Sequence, residues 1–174
     1  MEKGKIQVYY GEGRGKSSAA LGNAIRGAGN GKCAYVVQFM KGQMNNEFLQ
    51  RLEPEVKTFR FERCPEGFDA LSEEEKQEQK MNIQNGLNFA KKVLVTGECD
   101  ILVLDEVLGL VEEEMATVDQ IVEVLKAKSL YTDVILTGRN CPQEIYDMAE
   151  SVLNIVPEKT EESEHRRVID KKIT

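Results

Sequence analysis

A mostly parallel α/β sheet of about six strands, with helices on both faces, is the fold class this chain predicts. Three observations predict it. Apolar strand-like runs alternate with helical periodicities along the chain, the strongest runs are apolar without a break, and a glycine-rich turn joins the first strand to the first helix. Residues 5–10 alternate as a strand, and Ser17 to Gly27 carries Ala19, Ala20, Leu21, Ala24 and Ile25 at helical spacing. Gly29-Asn30-Gly31 stops that helix, and residues 33–39 read as a buried strand. A third, weaker strand is predicted over 56–61. Ser72 with Glu75 forms a capping box that opens a long helix to about Thr96, with Ile83, Leu87, Ala90 and Leu94 on one face. Residues 100–105 form a near-continuous apolar run, as in a strand covered on both sides. Thr117 with Gln120 is a second capping box, and Val118, Ile121, Val122 and Leu125 follow it. Val134 to Thr137 is another buried strand, Pro142 fits the first turn of a helix through Met148 and Ala149, and Val152 to Val156 is a last short strand.

A chain of 174 residues suits one domain, assigned to 1–157, with a charged tail over 158–174 that is flexible or orders on a ligand. Its formal charge is −7, with acidic residues concentrated in 62–80 and 98–114. Such a chain gains little from counterion release, which argues against a nucleic-acid partner. The basic residues Arg14, Lys16, Arg26, Lys32 and Lys41 predict instead a local anion site on an acidic body. No apolar run approaches the ~20 residues that span a membrane, and no signal-peptide pattern opens the chain. Cys33, Cys64, Cys99 and Cys141 form no Cys-x-x-Cys pair, so they read as small hydrophobes of a reducing cytoplasm rather than metal ligands.

Gly11-Glu12-Gly13-Arg14-Gly15-Lys16-Ser17-Ser18 sits where the first strand becomes the first helix. Glycines there allow backbone conformations in which successive N–H groups face one anion. The helix N-terminus adds partial positive charge, Lys16 adds a full one, and a serine hydroxyl can complete a magnesium shell. The fold expectation sharpens to a three-layer P-loop NTPase-like architecture. In the standard loop a glycine stands five residues before Gly15, where this chain has Tyr10; the first available glycine is Gly11, so a tighter loop is predicted. Ligands of parallel sheets bind beyond the carboxyl ends of the strands. That rule gathers residues 11–18, Gln38 to Gly42, Asp105-Glu106 and Gly138-Arg139-Asn140 on one rim. Asp105 and Glu106 close their strand as magnesium-holding carboxylates, with the choice between them open. Lys41 reads equally as a second phosphate contact or a surface lysine, and Arg139 as a bidentate clamp or a surface pair. Glu12 and Arg14 point outward, Tyr9 and Tyr10 pack, and Glu112-Glu113-Glu114 forms a solvated face. The single histidine, His165, lies in the polar tail, which leaves a histidine-based hydrolase without support.

Taken together, residues 11–18, Val-Val-Gln-Phe-Met-Lys-Gly at 36–42, Val-Leu-Asp-Glu at 103–106 and Thr-Gly-Arg-Asn-Cys at 137–141 resemble the P-loop type of corrinoid adenosyltransferase, in order and spacing from about residue 5 to residue 157. The family shares the shortened loop. The resemblance implies transfer of the 5′-deoxyadenosyl group of ATP to the Co(I) centre of cob(I)alamin or cob(I)yrinic acid a,c-diamide, with release of triphosphate and ATP lying in the loop in a reversed sense. It also implies a cytoplasmic homodimer served by a reductant flavoprotein. Residue by residue it implies nucleotide contacts from Gly11, Glu12, Gly13, Arg14, Gly15, Lys16, Ser17, Ser18, Gln38 and Arg139, catalytic roles for Lys16 and Lys41, and magnesium on Ser17 with Asp105 or Glu106. Family members often place an aromatic pair, including Trp, against the lower face of the corrin. Here only Phe68 fills that region and the chain has no Trp. Val168-Ile169-Asp170 matches the family's ending only faintly. The alternatives weighed from sequence are an ATP-binding sensor or carrier without turnover and a small-molecule kinase.

Overall fold

In the computed structural model, residues 2–40, 47–61 and 71–159 are described. Six strands, β1 (Ile6–Tyr10), β2 (Ala34–Gln38), β3 (Val56–Arg60), β4 (Ile101–Asp105), β5 (Asp133–Gly138) and β6 (Ser151–Asn154), form one sheet in the order β3-β2-β4-β5-β1-β6. Every neighbouring pair is parallel. Six helices connect them: α1 (Lys16–Gly29), α2 (Glu47–Gln50), α3 (Glu73–Thr96), α4 (Gly109–Glu112), α5 (Val118–Lys126) and α6 (Gln143–Met148).

The side-chain period of two explains why the central strands are apolar throughout. Val36, Val103 and Ile135 face α1 and pack with Ala20 and Ala24. Their neighbours Val37, Leu102, Leu104, Val134 and Leu136 face the opposite layer and pack with Ile83, Leu87, Leu94, Ile121 and Leu125 of α3 and α5. The three expected layers are present. Both capping boxes form, Ser72 with Glu75 and Thr117 with Gln120, and Gly97 ends α3 in the left-handed conformation at φ 65°.

Three readings need correction. Arg26 and Lys32 are not near the phosphate loop. Helix α1 starts at the loop and carries the chain away for 14 residues, roughly 20 Å at 1.5 Å each. Arg26 therefore lies in its last turn, and Lys32 pairs at 3.2 Å with Asp133 at the start of β5, the opposite end of the sheet. The last strand runs over Ser151–Asn154: the Ile155 amide still bonds to Tyr10 of β1, but its carbonyl turns to the phosphate loop, as described below. Pro142 precedes α6 as its N-cap with ψ 146°, and its carbonyl accepts from the Ile145 and Tyr146 amides. The short helices α2 and α4, four residues each, were not expected at all.

Helix α3 crosses the sheet over an aromatic cluster. Phe59 and Phe89 meet at a tilt with 4.6 Å between ring centroids, and Phe61 meets both Phe89 (5.6 Å) and Phe39 (6.4 Å). Gly86 makes this contact possible, because a Cβ there would lie 2.7 Å from ring atoms of both Phe39 and Phe61. Gly86→Ala is expected to cost about 1–3 kcal/mol by overpacking, read as a fall of several degrees in Tm.

Cys33, Cys99 and Cys141 are free thiols in or against the core, and Cys64 lies outside the described residues. Burial pushes the Cys99 thiol up to about 12. An unfolded thiol ionises near ~8.5, so above that pH the unfolded chain gives up a proton the folded chain retains, and stability falls as pH rises through the window. In thermal melts, Cys99→Val is expected to lose less Tm between neutral and alkaline pH than the parent. Among the described residues, no helix is long and apolar enough to cross a membrane.

Candidate functional site

Tyr10 pairs with Gly138 in the sheet, so the strand conformation persists one residue further than in a standard phosphate loop and the turn must begin at Gly11. Gly11 has φ 118° and Gly15, the N-cap of α1, has φ 101°; both lie in the region that favours glycine. Gly15 offers no side chain to cap the helix, which leaves the first-turn amides for an anion. The loop rests on the segment after β6. Gly13 N–H donates to the Ile155 carbonyl at 2.7 Å, Ile155 N–H donates to the Tyr10 carbonyl at 2.7 Å, and Gly11 N–H donates to the Arg139 carbonyl at 2.9 Å. A Cβ on Gly13 would stand 2.7 Å from Ile155 Cγ2 and from its carbonyl oxygen. Side chains are excluded at this floor, and the backbone alone shapes the cradle.

The half-buried Lys16 folds into the loop and its ammonium donates to the Gly13 carbonyl at 2.7 Å. Glu12 and Arg14 are exposed, as expected. Arg139 meets the Glu12 carboxylate at 3.5 Å, both side chains about two-thirds exposed. The Arg139 backbone is thus tied to the loop through its carbonyl, and the guanidinium by a solvent-screened pair that a polyphosphate can exchange. Of the packing tyrosines, Tyr9 is buried and its hydroxyl donates to Gln7 while accepting from Asn23.

Beside the loop, three polar side chains are buried at adjacent strand ends: Gln38 on β2, Asp105 on β4 and Thr137 on β5. Gln38 and Asp105 are register partners. The Thr137 hydroxyl donates to Asp105 Oδ1 at 2.7 Å and accepts from the Glu106 N–H at 2.8 Å. Glu106 is itself left-handed at φ 61°, an uncommon state for a residue with a side chain. The Leu108 N–H donates to the Thr137 carbonyl at 3.2 Å, and a Cβ on Gly138 would fall 2.4 Å from Leu108 Cβ. Met40, also left-handed at φ 53°, brings its Sδ to 3.2 Å from where a Gly109 Cβ would stand, with Glu106 Oε2 at 3.7 Å from the same point. On the flank, Asn140 donates to Glu112 at 2.8 Å, while Glu112, Glu113 and Glu114 stay exposed.

The rim therefore collects the loop 11–18, Gln38, Asp105, Glu106 and Arg139, the segments read from sequence. Lys41, Phe68 and His165 lie outside the described residues. Two elements of the rim were given no role in the sequence reading. Thr137 was read as part of a buried strand and as the first residue of the 137–141 segment, although a lone hydroxyl in such a run beside a carboxylate-ending strand was the available signal for its bond to Asp105. Ile155 gave no signal, since it acts through its backbone.

The profile of the family described as ATP:corrinoid adenosyltransferase BtuR/CobO/CobP matches residues 2–170. The chain is similar to the corrinoid adenosyltransferase CobA of Salmonella typhimurium, 33% identical over 159 residues that cover 91% of this chain and 79% of that protein. It is 32% identical to the corrinoid adenosyltransferase of Escherichia coli K12 over 158 residues, with the same coverage of each chain. Among solved structures, the flagellar accessory protein FlaH of Methanocaldococcus jannaschii superposes with a TM-score of 0.57 at 16% identity, covering 88% of this chain and 72% of that one, a likeness of fold alone.

Proposed function

The chain belongs to the ATP:corrinoid adenosyltransferase family, and from that premise we propose how its own residues carry the transfer. In this reaction the electron pair of the substrate's Co(I) becomes the Co–C bond to C5′ of ATP, while the C5′–O bond breaks and triphosphate leaves with the electrons of that broken bond. Cobalt is the nucleophile, so no side chain has to supply one. What remains for the protein is to align C5′ with the metal and to stabilise a leaving group of high charge density. The loop amides from Gly11 to Ser18 hold the polyphosphate, Lys16 neutralises it, and Arg139 exchanges Glu12 for a phosphate oxygen. Gln38 and Lys41 serve the nucleotide's other end. Phe68 supplies the one aromatic available for the lower face of the corrin.

Magnesium suits the donor set, because the Ser17 hydroxyl and the carboxylates of Asp105 and Glu106 are hard oxygen ligands. When bound there it would offset triphosphate charge. With Asp105 Oδ1 engaged by Thr137, the carboxylate keeps one oxygen directed by that hydroxyl rather than by solvent. The reading carries with it a homodimer, a reducing cytoplasmic setting that suits the free thiols, and a flavoprotein reductant. It also carries a single domain over 1–157 with the tail 158–174 apart. Light scattering and reduction assays with a purified reduced flavoprotein address the first and third.

The observation that supports this most is the lysine curled inside a short glycine loop, on the same rim as the paired carboxylates. Incubation with ATP, magnesium and a chemically reduced corrinoid is expected to yield adenosylated corrinoid and inorganic triphosphate in equal amounts. Detection of ADP and orthophosphate instead would reject the proposal.

A further inference from the structure

The end of the sheet opposite the phosphate loop holds a cavity of its own, of about 400 Å³. The five residues of β1, roughly 17 Å of strand, separate the two. Lys3, Lys5 and Gln7 stand at alternate positions along the chain entering β1, and all three line the cavity. Lys32, Asp100 and Asp133, at or just before the starts of β2, β4 and β5, line it too, together with the half-exposed Tyr131 ring. These walls are held in place by backbone. Gly4 N–H donates to the Leu130 carbonyl at 2.9 Å, and a Cβ on Gly4 would collide with the Thr132 carbonyl, so only glycine lets the entering chain lie this close. Lys5 N–H donates to Asp133 Oδ1 at 2.9 Å, and Asp133 N–H donates to the Asp100 carbonyl at 2.8 Å. Three strand starts are thereby tied together.

Some of the charges are engaged and others are not. Lys32 and Asp133 pair with each other at 3.2 Å. Asp100 gives Oδ2 to the Cys33 N–H at 2.8 Å, which leaves Oδ1. Gln7 gives Oε1 to the Tyr9 hydroxyl at 3.0 Å, which leaves the donor half of its carboxamide. Among the described residues the Lys3 and Lys5 ammoniums form no ion pair. Lys128 stands near enough to Lys3 for their charges to repel. The exposed Glu2 completes a lining whose three lysines equal its three carboxylates. A ligand of one sign meets a repelling group in such a lining, whereas a zwitterion finds a partner for each of its charges. Its carboxylate pairs with Lys3, Lys5 and the Gln7 amide, and its ammonium with Asp100 Oδ1. Lys5 and Asp100 precede strands two spacings apart, about 10 Å. A four-carbon lysine stem covers about half of that, leaving the few ångströms between the two charges of an α-amino acid. The Tyr131 ring offers an aromatic body a stacking face.

We propose that this cavity binds a free α-amino acid with an aromatic side chain, at a site separate from the nucleotide's. Calorimetric titration of the full chain with L-phenylalanine is expected to show saturable one-to-one binding that saturating ATP does not displace. 3-Phenylpropanoate, which lacks the ammonium, and phenethylamine, which lacks the carboxylate, are each expected to bind ~10-fold more weakly. Asp100→Asn keeps an oxygen for the Cys33 amide and should weaken L-phenylalanine ~10-fold while leaving 3-phenylpropanoate unchanged. Lys3→Gln combined with Lys5→Gln should give the mirror image, weakening L-phenylalanine and leaving phenethylamine unchanged. Absent binding, displacement by ATP, equal affinity for the analogues, or parental affinity in either variant overturns the proposal. Should Asp100→Asn misfold, Tyr131→Ala takes its place, with ~5-fold weaker L-phenylalanine binding expected and parental affinity decisive against. The adenosyltransferase reading is not a premise here, so a protein without transfer activity is judged by the same titrations.

Discussion

Lys16→Ala is expected to lower kcat/KM for adenosyl transfer by roughly 10²–10³-fold while leaving Tm nearly unchanged. The ammonium lies within the loop at 2.7 Å from the Gly13 carbonyl, where the only cost of its removal to folding is one partly exposed hydrogen bond. In the proposed mechanism its contribution belongs to the reaction, since negative charge on triphosphate grows as the C5′–O bond breaks. The loss should therefore appear in kcat more than in the dissociation constant for ATP. Lys16→Arg is not expected to restore activity, because a planar guanidinium does not fit a turn whose glycine carbonyl already contacts the smaller ammonium. Steady-state kinetics with prereduced corrinoid, combined with ATP binding by calorimetry, separates these effects. Near-parental turnover in Lys16→Ala would mean that the phosphates sit elsewhere.

Thr137→Val should show the second-largest effect. Valine keeps the shape but deletes the hydroxyl that donates to Asp105 and accepts from the Glu106 amide. Thr137 is fully buried, so the lost partners are not replaced by water at no cost, and destabilisation of about 1–3 kcal/mol is expected. If the two carboxylates hold magnesium, loosening their support should also weaken the metal, with a loss of ~10–100-fold in affinity or activity. The half-saturating magnesium concentration is the diagnostic measurement, because a purely structural defect would lower Tm without moving it. Thr137→Ser retains the hydroxyl and should recover the magnesium dependence even where some packing is lost.

Much of this site could be read before any coordinates, for a physical reason. In an all-parallel sheet every strand delivers its carboxyl end to one rim, so motifs far apart in sequence converge once the strands are recognised. The two capping boxes placed α3 and α5 because their hydrogen bonds are local, three residues apart. Where locality failed, so did the reading. Arg26 and Lys32 neighbour the loop in sequence, but a rigid helix removes them to the far end of the sheet. Helices α2 and α4 are too short to show a period of 3.6 residues. The Thr137 clamp joins residues more than thirty positions apart, and its pattern resembles any threonine in a strand.

The support of Gly13 by Ile155 has a consequence for biosynthesis. Residues from both extremes of the fold must meet before the loop can hold its shape, because the carbonyl beneath it is contributed more than 140 positions later. On the proposed reading, a nascent polypeptide still attached to the ribosome through its last strand is expected to carry the glycine motif intact yet bind nucleotide weakly. Proteolytic clipping just ahead of Ile155 should likewise silence ATP binding in an otherwise folded fragment. Nucleotide retention is thus expected only once Ile155 has been synthesised and has docked beneath the loop.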